Sequence, residues 1–200
     1  MEQSLFEDGW APLGQMLQRE ECAFLRGLYA DPARFRSRIV MERYRFGRGE
    51  DQYLRYSLPE AVQQRREALY AQLAPIATRL QQALGQADEF PSELGEFLEQ
   101  CHARGQSRPT PLLLRYQAGG FNCLHHQYTG GELLLLEQRP RAQSKGQVIL
   151  GQGEAVANTT RYRPARGKRG NCKANVRHGV SSPVREGERF TSGVIFHDAE

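Results

Sequence analysis

From Arg108-Pro109-Thr110-Pro111 onward the sequence changes character and keeps the new one to its end. Short apolar runs alternate with glycine-rich breaks: Leu112 to Tyr116, Phe121 to His126, Glu132 to Glu137, Gln147 to Leu150, Ala155 to Asn158, Ala174 to Arg177 and Phe190 to Phe196. Runs of this length bounded by Gly, Pro, Asn and Ser predict strands. The first two, joined by the turn Gln117 to Gly120, read as a strand and its return partner. Many short antiparallel strands with glycine-rich turns predict a mainly β fold with flanking helices, a double-stranded β-helix of the cupin-like jelly-roll type.

The first half supplies the helices. Cys22, Leu25, Leu28 and Tyr29 have helical spacing, which predicts a helix over Glu20 to Ala30, broken by Asp31-Pro32. Phe35 to Tyr56 has β character, with Ile39, Val40, Met41, Tyr44 and Phe46 interleaved by Arg36, Arg38, Arg43, Arg45 and Arg48. Such a strand is either a solvated face or a basic surface that contacts substrate. Ser57-Leu58-Pro59-Glu60 predicts a helix start, with Ser57 as cap and Glu60 reaching back as in a capping box. That helix should run to Leu84, stop at Gly85, kink at Pro75 and bury Val62, Leu69, Leu73, Ile76 and Leu80. A second helix, Ser92 to His102, carries Leu94, Phe97, Leu98 and Cys101, with His102 as a C-terminal cap. Residues 1–108 thus read as a support for a jelly-roll core over 109–200, both within one compact domain.

Composition adds limits. A chain of 200 residues, 39% hydrophobic and 25% charged, can build one substantial core. Twenty-seven Lys and Arg against 23 Asp and Glu give +4, and the pI is about 9.0. The charges are scattered, so an acidic or nucleic-acid partner is permitted without being required. No apolar run reaches the length of a membrane span and no basic-then-apolar leader opens the sequence; a cytoplasmic location with no membrane partner is the expectation. Cys22, Cys101, Cys123 and Cys172 form no CxxC pair and read as reduced, mostly buried thiols.

Asn175 to His197 is the stretch with chemistry in it. A strand ending at His178 can offer a neutral imidazole nitrogen to a divalent metal, and a following antiparallel strand opening at Arg189 can bring a guanidinium fork for a carboxylate. Ser181 to Glu188, with Pro183 and Gly187, would supply the reversal. Taken alone, these residues also fit a surface histidine and a surface arginine joined by a loop.

The wider pattern resembles the Fe(II)- and 2-oxoglutarate-dependent dioxygenases, in particular the prolyl-hydroxylase-like branch and a bacterial group within it that ends in a GVIFHDA-type tail. Arg115, Tyr116, Gly119, Gly120, Phe121 and His125, then Gly130, Gly131 and Glu132, then Gly153 to Val156, carry the likeness together with the C-terminal stretch and the N-terminal RFRSRIVMERYRFGRGE. The resemblance implies His125 and His178 as iron ligands, with no catalytic residue beyond the metal ligands. It implies Arg189 as the grip on the distal carboxylate of 2-oxoglutarate, helped by Tyr116 and Thr191, and it allows ascorbate as a supporting reductant. The implied reaction is hydroxylation of an unidentified substrate, a protein side chain such as proline being one candidate.

One departure stands against these matches. The family follows its first histidine with an HxD aspartate, which completes a two-histidine, one-carboxylate iron site. Here two positions after His125 is Gln127, and two after His126 is Tyr128. The family also places roughly thirty residues, including an apolar core strand, before the Gly-Gly-Glu turn; here four residues separate His125 from Gly130. Either the chain lacks this segment, or the complete molecule carries further residues between His125 and His126. If the aspartate is truly missing, a halogenase-like variant with a halide in the vacated position or a non-catalytic binding module on the same scaffold is the alternative. A nucleic-acid demethylating dioxygenase is the other reading, favoured by the basic pI.

Overall fold

The computed structural model describes every residue except 46, 123–132, 140–141, 149, 168–169, 181–183 and 185. In chain order the elements are α1 (Glu2–Glu7), β1 (Trp10–Gln15), α2 (Arg19–Leu28), β2 (Phe35–Val40), β3 (Gly47–Arg48), β4 (Glu50–Leu54), α3 (Glu60–Ala83) and α4 (Leu94–Ala103). The second half follows as β5 (Leu112–Gln117), β6 (Phe121–Asn122), β7 (Leu133–Arg139), β8 (Ala142–Val148), β9 (Glu154–Asn158), β10 (Tyr162–Gly167), β11 (Gly170–Val180) and β12 (Glu188–Gly193). Two four-stranded sheets, β12-β5-β4-β2 and β10-β11-β7-β8, are joined by the two-stranded pairs β1-β9 and β3-β6. The pairings are antiparallel. This is the mainly β, jelly-roll-like fold with flanking helices that the strand-and-turn pattern predicts.

Two expected pairings do not form. β6 is not the return partner of β5: it pairs with β3, while β5 lies between β12 and β4. Nor do β11 and β12 pair, although they follow one another in the chain; β11 pairs with β10 and β7. The β3-β6 pair is short, two residues on each strand, whereas β11 pairs over six positions with its chain neighbour β10 and over six with the distant β7. β1 and β10 add strands that periodicity alone leaves unmarked.

The helices seal one face of the sheet that contains β5. Leu25, Leu28 and Tyr29 of α2 and Val62 of α3 pack with Phe35, Leu54, Leu58 and Leu113 in one buried cluster. Further along α3, Ile76 and Leu80 pack with Leu5 of α1 and Ala11 of β1, so one long helix ties two parts of the fold together. α3 does not begin as expected. Its N-cap position is Pro59, not Ser57, and the position three residues into the helix is Val62, so no carboxylate is placed for a capping box. It continues through Pro75 and gives way at Gly85, whose φ of +72° suits glycine. Cys101 is buried, but Cys172 is exposed, against the expectation for a buried thiol.

Arg66 of α3 and Asp198 near the C-terminus are both fully buried and paired at 2.9 Å. Arg66 also donates to the carbonyls of Ile195 at 3.1 Å and Phe196 at 2.6 Å, and to the Tyr56 hydroxyl at 3.2 Å. Asp198 in turn accepts from the Tyr56 hydroxyl at 2.8 Å and meets His102 Nε2 at 3.0 Å. His102 therefore serves the C-terminal carboxylate rather than the end of α4. Burial pushes the Asp198 pKa up, but the bonds from His102, Arg66 and Tyr56 outweigh it and hold the carboxyl below the usual aspartate value.

Removing one partner of a buried pair leaves an uncompensated charge, so Asp198→Asn and Arg66→Met should each cost about 3–5 kcal/mol in urea unfolding. Because the folded-state pKa of Asp198 is depressed, its contribution is fully present above the unfolded value of about 3.9 and is lost as the pH falls through the folded one. The gap between wild type and Asp198→Asn should accordingly be constant above about pH 5 and close in more acidic urea titrations. A gap that stays constant into that acidic range would show that the carboxylate is not what stabilises the C-terminal segment.

Candidate functional site

Register decides which side chains share a face. Arg189 of β12 lies opposite Tyr116 of β5, and Thr191 lies opposite Leu114. Leu114 in turn lies opposite Asp51 of β4, and Asp51 opposite Ile39 of β2. Side chains alternate along a strand, so Arg189, Thr191, Leu114, Tyr116, Asp51, Tyr53 and Ile39 project from one face of this sheet. Leu113 and Leu54, from the other face, join the cluster under α2 and α3. The first set lies on the helix-free face, where Arg189, Thr191, Leu114, Asp51, Tyr53 and Ile39 are half-buried.

Tyr116 is fully buried and packs with Met41, Leu114 and Val184. Its ring occupies the space above Gly49, where a Cβ would come within 2.7 Å of a ring carbon. Glycine at 49 is thus a packing requirement. The segment leading into β12 is clamped to the turn after β5, with Gly119 N–H donating to the Val184 carbonyl at 2.9 Å and Val184 N–H donating to that of Gly120 at 3.0 Å.

The three residues expected to hold a dicarboxylate are therefore grouped: Arg189 directly across from Tyr116, Thr191 one step along the same strand face. Thr191 Oγ1 is buried and makes no hydrogen bond among the described residues. A buried hydroxyl left in this way costs about 1–3 kcal/mol unless a ligand satisfies it.

His178 is carried by the other four-stranded sheet, opposite Leu135. The expectation that the loop after it would fold His178 and Arg189 into one antiparallel pair is not met. The ring keeps solvent-accessible surface, yet it lies against enough protein for desolvation to hold its pKa below the usual imidazole value. The shift favours the neutral ring, the form that ligates metals. His125, with Cys123, His126 and Gln127, lies outside the described residues, and so does its expected convergence with His178. Among the described residues no group of three or more His, Cys, Asp and Glu stands together.

Asp51 escaped the sequence argument. Its Oδ1 is buried without a hydrogen-bond partner among the described residues, and burial pushes its pKa up to about 6. The one available signal was an acidic residue inside the strand EDQYL, a setting where Asp is disfavoured. The interleaved arginines of this region turn out largely engaged: Arg38 pairs with Glu50, and Arg36 Nε donates to the Pro109 carbonyl at 2.8 Å. An open cavity of about 610 Å³ lies among Arg26, Arg38, Arg115 and Phe190. It is on the helix side of the sheet, away from Arg189, and two of its arginines are paired with Glu50 and Glu188.

The profile of the Oxygenase-NA family, described as "Oxygenase, catalysing oxidative methylation of damaged DNA", matches residues 49–129 and 126–199. The two segments overlap at 126–129, directly after His125, where the sequence has no aspartate. Two uncharacterized proteins from two strains of Mycobacterium tuberculosis are each 42% identical over 164 residues, an alignment that covers 71% of this chain and 70% of the relative. No solved structure matches. The match is to an oxygenase family and does not single out a prolyl-hydroxylase-like branch. On a profile that spans both the strands carrying Tyr116 and those carrying His178, Arg189 and Thr191, the chain belongs to the Oxygenase-NA family.

Proposed function

We propose that this oxygenase depends on Fe(II) and 2-oxoglutarate and acts on nucleic acid. The grouping of Arg189, Tyr116 and Thr191 on one sheet face carries the reading. Arg189 offers two parallel hydrogen bonds in a fixed plane to a carboxylate. Thr191 Oγ1, buried and unbonded among the described residues, fits as the further donor, and the Tyr116 ring, locked over Gly49, gives the pocket a rigid wall. The donor set therefore fits a dicarboxylate.

The metal side is less complete. His178 supplies a neutral imidazole and His125 would supply a second, while residues 126–128 supply no carboxylate. Bound iron would contribute oxygen activation coupled to decarboxylation of 2-oxoglutarate to succinate; the chain contributes binding, orientation and a dry surface. The family description favours damaged DNA as the substrate class, and the charge of +4 is compatible with a polyanion. Nothing in the comparisons speaks for a protein side chain such as proline. The two-part family match favours a second reading, in which the chain binds 2-oxoglutarate without turning it over.

Succinate release from 2-oxoglutarate in the presence of Fe(II) and a methylated single-stranded DNA separates the two readings. Measured intact mass decides what lies behind them: 22.7 kDa means that the segment after His125 is absent from the molecule, and a heavier chain means that it is present. Arg189→Ala should weaken 2-oxoglutarate binding by about 2–5 kcal/mol in calorimetry, with metal binding little changed, and Arg189→Lys should recover only part. Unchanged affinity in Arg189→Ala would remove the cosubstrate assignment. Thr191→Val should leave the ligand-free melting temperature unchanged or slightly higher, because the lost hydroxyl makes no bond to the described residues, while lowering 2-oxoglutarate affinity. A destabilised variant with full affinity would mean that the hydroxyl serves the fold instead.

A further inference from the structure

We propose that Asp51 is a substrate-contacting residue of the helix-free face: its carboxylate receives the N–H or positively charged edge of a flat ring lodged beside Leu114. The identity of that ring as a nucleobase rests on the oxygenase reading above; the presence of a ligand contact at Asp51 rests on the geometry.

Asp51 has no evident work in the fold. Gln52 and Leu54 are buried toward the helices, whereas Asp51, the second residue of β4, projects the other way. Its Oδ1 is buried and unbonded among the described residues. Burial alone accounts for its raised pKa, with no described cation or donor offsetting it. A strand that needed only to pair would be more stable with a β-branched residue there. A buried polar atom left unsatisfied calls for an explanation, and a bound partner is one that accounts for it.

The surroundings indicate what kind of partner. Ile39 and Leu114 flank Asp51 in register on either side. Tyr53, two residues on, lies near enough for the Asp51 charge to help raise its phenol pKa, after burial. Two residues back, Gly49 is roofed by the Tyr116 ring. One acceptor among apolar and aromatic walls suits a planar ring that brings its own donors. A dicarboxylate does not suit it, because a second anion would be repelled. Asp51 is also two strand spacings from Thr191, about 10 Å, with Leu114 between them, so a cosubstrate held by Arg189 and Thr191 leaves Asp51 to a second ligand. With a pKa of about 6 the carboxyl is mostly ionised at pH 7, and a partly desolvated anion prefers a cationic ring to a neutral one. Alkylation of a nucleobase ring nitrogen creates such a cation.

The test compares wild type, Asp51→Asn and Asp51→Leu for binding to a single-stranded oligonucleotide with one ring-nitrogen-methylated adenine and to its unmodified counterpart. Fluorescence anisotropy without oxygen reads DNA binding, and calorimetry reads 2-oxoglutarate binding in each variant. The wild type should prefer the methylated strand, and Asp51→Asn should lose roughly tenfold in that preference, the worth of a hydrogen bond to a charged group. Affinity for 2-oxoglutarate should not change, and Asp51→Leu should melt at a higher temperature than wild type. A wild-type preference that survives in Asp51→Asn would overturn the contact and leave the oxygenase reading standing. A wild type that binds both strands equally would overturn the ligand assigned to Asp51, and one that binds neither would overturn the nucleic-acid reading with it.

Discussion

The buried pair between Arg66 and Asp198 holds the end of the chain against its middle. Arg66 reaches the carbonyls of Ile195 and Phe196 as well as the carboxylate, and the Arg108 and Ala199 backbones bond reciprocally at 2.9 and 2.8 Å. Thr110 adds a bond to the Ile195 carbonyl at 3.2 Å. β5 begins just after Thr110, and β12 ends just before Ile195. The same contacts therefore fix the ends of the two strands whose register sets Arg189 opposite Tyr116. A one-residue slip between them would turn Arg189 and Thr191 toward α2 and α3.

That sheet divides its labour by face. Toward the helices its side chains make a closed apolar cluster. On the other face, polar atoms of Asp51 and Thr191 are buried without hydrogen-bond partners among the described residues. A sheet interior can carry such a cost only because the opposite face is well packed. A second buried pair plays the corresponding part elsewhere: Arg163 of β10 donates to Glu137 of β7 at 2.7 Å and to the Phe6 carbonyl at 2.9 Å, which ties α1 to the other sheet.

What the sequence made legible follows the range of the forces involved. Leu112 to Tyr116, the long helix up to Gly85, and the strand Ala155 to Asn158 are written in local spacing and in turn residues. The grouping of Arg189, Tyr116 and Thr191 was reachable through resemblance and then follows from antiparallel register. Pairing between distant strands is not written locally, so the separation of His178 and Arg189 into two sheets and the partnership of β6 with β3 were out of reach. Arg66 looked like any solvated position of an amphipathic helix, since nothing near it in sequence announces Asp198. Asp51 was hidden among more conspicuous arginines.

The place of β4 in the sheet has a consequence for how the chain can be divided. β4 comes from the first half of the sequence, yet it pairs along β5 and supplies Gly49 as the seat of the Tyr116 ring. Without residues 1–108, β5 would become an outer strand with a row of unpaired N–H and C=O groups beside Leu112, Leu113 and Leu114, an apolar edge open to pairing with another copy. The segment that resembles a self-contained core is thus the part least suited to exist alone, and the apparent support region is a wall of the pocket it supports.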